Sequence, residues 1–285
     1  MKAPAFDYQK PGSIEEALAL MQQHGAGAQV LAGGQSLMAI MNLGLATPEI
    51  LIDITGIKGL SDITLTDSQV RIGALVTHAR LHASAEVARH VPLLWQSVPH
   101  VAHMAIRNAG TIGGSLALAD PAAEYPAVAL ALDATISLQG PAGAREVAAS
   151  DYFLGLYETA RASDELVVAV SFPKVRPDQR MVFDELTRRR GDYALCGLAA
   201  AFQMQGGKIG SARLAYLSVG DTPVLASSAG AALAGCAPDE AAVAAAQSAL
   251  AKDLSPRGDL HGSASSKLHW AKVLLARSIR QLGES

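Results

Sequence analysis

The chain has 285 residues, of which 50% are hydrophobic, 17% charged and 5% aromatic. This length allows two or three domains with large cores, and the composition is that of a globular protein rather than a disordered one. The formal net charge of -3 gives no basic excess, so nucleic acid is not an expected partner.

Two cysteines, Cys196 and Cys236, are too few for a disulfide framework or for an iron–sulfur cluster, which takes about four thiolates. We expect both to be small core residues. The first residues contain no apolar stretch of the secretory type, and no segment approaches the roughly 20 apolar residues of a membrane span. The sequence therefore predicts a cytoplasmic protein without a membrane span.

The first predicted unit, residues 1–57, is a small α/β lobe. Ser13 begins a helix within a Ser-x-x-Glu capping box, and Gly25 is expected to end it. A short strand at residues 29–31 runs into a Gly-Gly pair, and a buried strand follows at residues 49–54.

The second predicted unit, residues 58–175, mixes helices and strands. Period-2 alternation around Ile72 indicates a strand, after which Thr77 is expected to cap a helix. A helix is predicted over residues 92–106 despite Pro99. Beyond a second Gly-Gly pair, a helical turn leads into a strand near residue 136, and a further strand spans 164–173.

A polar, Pro-bearing linker at residues 173–180 separates the third predicted unit, residues 176–285. We expect a strand at 213–220 and three helical segments there, near 222–234, 238–252 and 265–282.

Two glycine pairs that lie far apart in the chain are candidates for binding a phosphate-bearing molecule. Phosphate oxygens need several donors at close range, and successive backbone N–H groups supply them where no side chain obstructs the approach. The segments are AGGQS, residues 32–36, and TIGGS, residues 111–115. Neither matches the Rossmann or Walker A pattern, and one Gly-Gly pair alone is more typical of a tight turn.

The runs AGGQSL, RNAGTIGGSLALADPAAEYP and GDYA together resemble the FAD-binding medium subunits of molybdenum hydroxylases. Carbon monoxide dehydrogenase medium subunits and the FAD domain of xanthine dehydrogenase belong to that family. The resemblance covers nearly the whole chain. It implies an α+β protein with a two-lobed FAD-binding fold of the vanillyl-alcohol-oxidase type and a C-terminal α/β domain, a three-stranded sheet with helices.

The resemblance also implies a binding site for FAD. The first glycine loop would wrap the pyrophosphate, and the second would close on it from the other lobe. Glu124 would accept hydrogen bonds from ribose or adenine, with Asp120 as a rival, and Tyr193 would lie near the isoalloxazine. The expected FAD-binding residues are Ala32, Gly33, Gly34, Gln35, Ser36, Leu37, Val101, Thr111, Ile112, Gly113, Gly114, Ser115, Asp120, Glu124, Val167 and Tyr193.

One departure from the family concerns the segment before GDYA. Relatives commonly have a lysine close to the flavin where this chain has Asp184 and Glu185. A cation stabilises an anionic reduced flavin and a carboxylate opposes it. Either an arginine from residues 188–190 substitutes for the lysine, or the flavin potential and the oxidant differ. The arginine run is otherwise expected to be a solvated face, with docking to a partner subunit as the alternative.

Four histidines have spacings that metal sites use, in the pairs His78 and His82, and His100 and His103. No HExxH motif or cysteine partner accompanies them, so we expect packed or solvated histidines and no metal site.

The function that the resemblance implies is electron transfer within a molybdenum hydroxylase. FAD would receive electrons from the two [2Fe-2S] clusters of a small partner subunit, a large subunit would carry molybdopterin, and the assembly would be a dimer of heterotrimers. The final acceptor, quinone, NAD or oxygen, stays open. The alternatives are a self-sufficient flavoprotein oxidoreductase, with Ser115, Ser218 or Tyr193 as proton donor, and a non-catalytic protein that has lost FAD.

Overall fold

The computed structural model describes residues 2–283, and its first unit is a parallel sheet with two helices. Helix α1 begins as predicted, because the Ser13 hydroxyl accepts a hydrogen bond from the Glu16 N–H at 3.2 Å. It ends at Gly25, whose φ of +49° favours glycine. The sheet has the order β1-β3-β2. The elements are β1 (Asp7–Gln9), α1 (Ile14–His24), β2 (Ala28–Leu31), α2 (Leu37–Asn42) and β3 (Ile50–Asp53).

The second unit is an antiparallel sheet of order β4-β5-β10-β6-β7, with six helices inserted between β5 and β6. The predicted helix over 92–106 is two helices, because Pro99 lacks an N–H and the chain forms a 3-10 turn there before restarting. The elements are β4 (Ile63–Leu65), β5 (Gln69–Gly73), α3 (His78–Ala83), α4 (Ala85–His90), α5 (Pro92–Ser97), α6 (Met104–Ala109), α7 (Ile112–Leu118), α8 (Glu124–Ala131), β6 (Thr135–Gly140), β7 (Gly143–Ala148), α9 (Ala149–Tyr152), β8 (Phe153–Gly155), β9 (Glu158–Thr159) and β10 (Leu166–Pro173).

The third unit is a second antiparallel sheet, of order β11-β12-β13-β14, covered by helices. A two-residue strand extends the three long strands, so the predicted helical segment over 222–234 is a strand followed by a short helix. The elements are β11 (Gln179–Thr187), β12 (Ala194–Gln205), β13 (Lys208–Leu217), β14 (Val224–Leu225), α10 (Ser227–Ala232), α11 (Glu240–Asp253) and α12 (Ala264–Gly283).

The third sheet is buried on both faces, and this joins it to the second unit. Along β13, Leu214 and Tyr216 pack into the cluster formed with α11 and α12, while Ala215 and Leu217 pack into the cluster that contains α8. Such period-2 alternation directs successive side chains to opposite faces. Helix α8 is buried on all sides from Tyr125 to its end, which is typical of a helix packed between layers.

Candidate functional site

A cleft of about 770 Å³ lies between the first two units and receives residues from the third. The two glycine segments, which are about 80 residues apart in the chain, meet in it: the Cβ position of Gly114 is 3.9 Å from the Ala32 Cβ. The structure brings fifteen of the sixteen expected FAD-binding residues to its wall. The exception is Ile112, which is fully buried in the core of the second unit.

The first glycine segment combines close backbone contact with free donors. A Cβ atom on Gly33 would lie 2.2 Å from the Ala109 carbonyl oxygen, so only glycine allows the first lobe to approach the second here. Gly34 has a φ of +69°. In the part of the chain that the structure describes, no protein group accepts a hydrogen bond from the N–H groups of residues 33–36. These four amides are therefore available to an anionic ligand.

The second glycine segment is wrong as a loop prediction, because it forms the first turn of α7. Thr111 caps this helix, and its hydroxyl accepts a hydrogen bond from the Gly114 N–H at 3.1 Å. The Gly113 N–H donates to the Ala74 carbonyl at 2.9 Å, and the Ser115 N–H donates to the Thr111 carbonyl. The expected cradle of free amides is therefore absent from residues 112–115.

Gly113 is needed for packing rather than for phosphate access. A Cβ atom there would lie 2.4 Å from the Ala74 Cβ, and the helix could not rest against the end of β5. Within this segment, Gly114 and the Ser115 hydroxyl remain as the groups that face the cleft without a core role.

Arg107, in the same motif, orders the opposite wall of the cleft. Its guanidinium donates to the Val101 carbonyl at 2.8 Å and to the Ala102 carbonyl at 2.9 Å. These bonds hold Ala102 at a φ of +42°, which non-glycine residues rarely adopt. The turn contacts the third unit, because a Cβ atom on Gly191 would lie 2.7 Å from the Ala102 carbonyl oxygen.

Glu124 is placed in the cleft by the buried helix α8, at whose first residue it lies. Burial, together with repulsion from the nearby carboxylates of Glu185 and Asp120, raises its pKa to about 8. The acid is therefore mostly protonated at pH 7 when the cleft holds no ligand. A hydrogen-bond donor arriving from a ligand would favour the ionised form.

Asp120 is already engaged, which distinguishes it from Glu124. One carboxylate oxygen accepts from the Ala122 N–H at 2.9 Å, and the other accepts from the Tyr157 hydroxyl at 3.4 Å. Across from it, the Tyr193 ring is 70% exposed at the mouth of the cleft. An exposed ring in this position can stack on a planar ligand.

Asp184 and Glu185, the acidic pair before the GDYA segment, have two different environments. Asp184 pairs with Arg277 at 3.3 Å. The Glu185 side chain is only 3% exposed; one oxygen lies 3.3 Å from His100 Nδ1, and the other has no partner among the described residues. The three arginines at 188–190 are exposed, and Arg189 pairs with Asp192. The side chain that contacts Glu185 is thus a histidine, not one of these arginines.

Sequence reasoning missed several groups in the cleft, of which Arg161 is the most telling. Its Nε is buried and has no hydrogen-bond partner within residues 2–283, although its Nη1 donates to the Glu165 carbonyl at 2.8 Å. A buried N–H without an acceptor is costly, so a ligand acceptor would stabilise this site. No sequence motif signals Arg161.

The histidines and cysteines have structural surroundings. His78 is buried against the Tyr125 hydroxyl at 3.0 Å, and burial together with Arg107 lowers its pKa to about 4. His82 stacks on Trp95. Cys196 is buried as expected, but Cys236 is only partly buried. Among the described residues, no three His, Cys, Asp or Glu side chains are grouped in a way that could hold a metal ion.

None of the helices described between residues 2 and 283 has both the length and the apolar character needed to cross a bilayer. The cleft itself fits a dinucleotide cofactor on three grounds: four free amides, an unpaired Arg161 Nε and the Glu124 carboxyl group, all on a largely apolar wall. The fold and the site thus define a nucleotide-cofactor-binding protein of two lobes and a C-terminal domain.

Comparison with known proteins gives the family. Residues 4–175 match the FAD binding domain in molybdopterin dehydrogenase, and residues 181–282 match the CO dehydrogenase flavoprotein C-terminal domain. The chain belongs to the FAD-binding medium subunits of the molybdenum hydroxylases, which are oxidoreductases, and its cofactor is FAD.

Similar proteins cover the chain almost completely. The carbon monoxide dehydrogenase medium chain of Afipia carboxidovorans is 38% identical over 97% of this chain and 96% of its own length. The nicotine 6-hydroxylase medium subunit of Paenarthrobacter nicotinovorans is 37% identical over 99% of both. Among solved structures, quinoline 2-oxidoreductase from Pseudomonas putida 86 superposes with a TM-score of 0.95 at 38% identity, covering 100% of this chain and 99% of that chain.

Proposed function

We propose that this chain passes electrons through FAD between a small partner subunit with two [2Fe-2S] clusters and an external acceptor. A large molybdopterin subunit would oxidise the substrate, and the assembly would be a dimer of heterotrimers in the cytoplasm. The observation that carries the proposal is the cleft, where both glycine segments, Glu124 and Tyr193 meet. The free thiols of Cys196 and Cys236 are compatible with a reducing compartment.

Bound FAD supplies the electron-transfer chemistry, and the chain supplies position and electrostatics. We assign the free amides of residues 33–36 and the Ser115 hydroxyl to the pyrophosphate, because they are the unengaged donors of the two glycine segments. Glu124 would accept from a ribose hydroxyl or the adenine amine, and Tyr193 would cover the ring system. Val101 and Val167 would contribute backbone contacts at the two sides of the cleft.

The remaining expected residues have supporting places in this proposal. Ala32, Gln35 and Leu37 would complete the first loop around the cofactor. The role of Thr111, Ile112 and Gly113 would be to hold α7 against the rest of the second unit rather than to bind phosphate. The domain division proposed from sequence, at residues 1–57, 58–175 and 176–285, is supported by the three larger sheets, which fall within 7–53, 63–173 and 179–225.

Purification of the chain from its native host tests the proposal. We expect two other chains to co-purify, one with iron–sulfur absorbance and one with molybdopterin, and the flavin of the complex to be reduced when substrate is added. A chain that stays alone and turns over a small organic substrate by itself would instead support the self-sufficient flavoprotein. Of the three candidate proton donors for that alternative, Ser115 and Tyr193 line the cleft. Ser218 does not line it, and its hydroxyl donates to the Ala194 carbonyl.

A further inference from the structure

Backbone strain is concentrated around the segment 119–123, which borders the cleft. Three of the five described non-glycine residues with positive φ lie in this segment or contact it, and such strain persists only where the surrounding structure imposes it. Ala119 precedes Asp120, which lines the cleft. Tyr157 donates to the Asp120 carboxylate, and Ser218 donates to the Pro121 carbonyl. The segment 119–123 is therefore held from several directions.

Ser218 is the residue that joins this segment to the C-terminal domain. It has a φ of +62° and is 9% exposed. Its N–H donates to the Pro121 carbonyl at 2.9 Å, and its hydroxyl donates to the Ala194 carbonyl at 2.7 Å. Pro121 lies between the cleft residues Asp120 and Ala122, and Ala194 follows Tyr193. One residue outside the cleft thus binds both segments that form its end.

Lys267 on α12 contacts the remaining hydrogen-bonding group of Ser218, its carbonyl. The residue is 8% exposed, and its ammonium group donates to the Ser218 carbonyl at 3.0 Å and lies 2.6 Å from the Asp259 carboxylate. A buried ammonium needs its partners, because an unpaired one is costly. All three hydrogen-bonding groups of Ser218, its N–H, its carbonyl and its hydroxyl, are therefore occupied, and its strained backbone is fixed by a charged donor.

We propose that Ser218 and Lys267 are positioning residues for the FAD site: the Lys267–Ser218 contact fixes the segments 119–123 and 193–194 in the geometry that receives the cofactor. Neither residue lines the cleft, so both act through others. The contact couples α12 of the C-terminal domain to the cofactor site, although neither Ser218 nor Lys267 touches the cofactor. Loosening it would cost binding energy, because FAD would then have to order both segments.

Lys267→Met in the full chain tests this, with Lys267→Arg as the conservative rescue and Lys272→Met, on the same helix, as the matched control. Hydrogen exchange of the cofactor-free chain should become faster at both 119–123 and 191–195 in Lys267→Met. FAD affinity, measured by fluorescence titration, should fall about tenfold, and the visible circular dichroism of bound flavin should change. Lys267→Arg should restore the slow exchange and the FAD affinity, because guanidinium can also donate to the Ser218 carbonyl and pair with Asp259.

Ser218→Gly keeps the test decisive if Lys267→Met does not fold. Glycine tolerates the positive φ and retains the N–H and carbonyl bonds, so only the hydroxyl bond to Ala194 is lost. Exchange should rise at 191–195 and not at 119–123. Unchanged exchange in both segments for a folded Lys267→Met, or unchanged exchange at 191–195 in Ser218→Gly, would overturn the proposal. So would a loss of FAD affinity of the same size in Lys272→Met.

Discussion

At the scale of single residues, ionisation of Glu124 should lower the stability of the cofactor-free chain and raise its affinity for FAD. Its pKa is about 8 in the folded chain, against an ordinary value near 4.5 for glutamate. The unfolded chain therefore releases the proton from this carboxyl at lower pH than the folded chain does. The contribution of Glu124 to folding is present below the ordinary pKa and is lost as the pH rises towards 8.

Glu124→Gln should consequently stabilise the cofactor-free chain at pH 8 while it weakens FAD binding. The amide carries no charge to bury, so we expect a gain of roughly 4 kcal/mol in the free energy of unfolding at pH 8 and of less than about 1 kcal/mol at pH 5. Urea unfolding at the two pH values measures this effect.

FAD binding gives the second half of the prediction. If Glu124 binds the cofactor as a carboxylate, wild-type affinity should rise about tenfold between pH 7 and pH 9, since ionisation then no longer opposes binding. Glu124→Gln should remove that rise. An affinity that is flat across this range in the wild type, or that falls with pH, would contradict a carboxylate role.

Single residues also show what the sequence can and cannot predict. The two glycine segments could be identified from the sequence because a Gly-Gly pair marks a place where the backbone carries no side chains. The reason for Gly33, its contact with the Ala109 carbonyl, was not, since it depends on two lobes meeting. The contacts of Ser218 could not be predicted for the same reason, because its partners Pro121 and Ala194 lie on elements that no sequence periodicity connects.

At the scale of elements, α7 is where the sequence was misread. Thr111 is followed by Ile112 and Leu116 at i and i+4 spacing, which is a helix signal, but the Gly-Gly pair between them suggested a turn. The structure resolves the conflict in favour of the helix because the glycines permit close packing on Ala74. By contrast, α1 was predicted well, since its cap and stop signals are local.

Thr111→Ala should therefore act on folding rather than on phosphate contact. Loss of the cap leaves the Gly114 N–H without its acceptor, so we expect a cost of about 1 kcal/mol in the free energy of unfolding of the cofactor-free chain. Thr111→Ser keeps the hydroxyl and should retain most of the stability. The comparison is made by urea unfolding without FAD; equal stability of Thr111→Ala and wild type would show that the cap contributes nothing.

At the scale of the whole molecule, the cleft draws its walls from all three units. The core cluster around α8 includes Ala199 and Ala215 of the C-terminal sheet, so the second and third units share buried surface. In the C-terminal sheet, sequence patterns predicted only the strand at 213–220, which corresponds to β13, and they missed β11, β12 and β14. They did not predict the shared core either, because alternation along β13 does not state what covers each face. A ligand in such a cleft should stabilise the molecule as one body.

The two tryptophans allow this to be measured. Trp95 lies on α5 of the second unit, and Trp270 lies on α12 of the C-terminal domain. Single-tryptophan variants, Trp95→Phe and Trp270→Phe, each leave one fluorescent reporter. With FAD at about 100 times its dissociation constant, both reporters should show about 2.7 kcal/mol of added stability, because FAD binds only the chain in which the units are assembled.

Lys252→Met, an exposed change on α11, serves as a control in the wild-type background and should respond to FAD as the wild type does. A shift confined to Trp95 would mean that the C-terminal domain unfolds independently of the cofactor, and the coupling through Ser218 would then have no energetic effect. Coincident shifts at both reporters, reduced together by Lys267→Met, would establish that one cleft governs the stability of the second and third units.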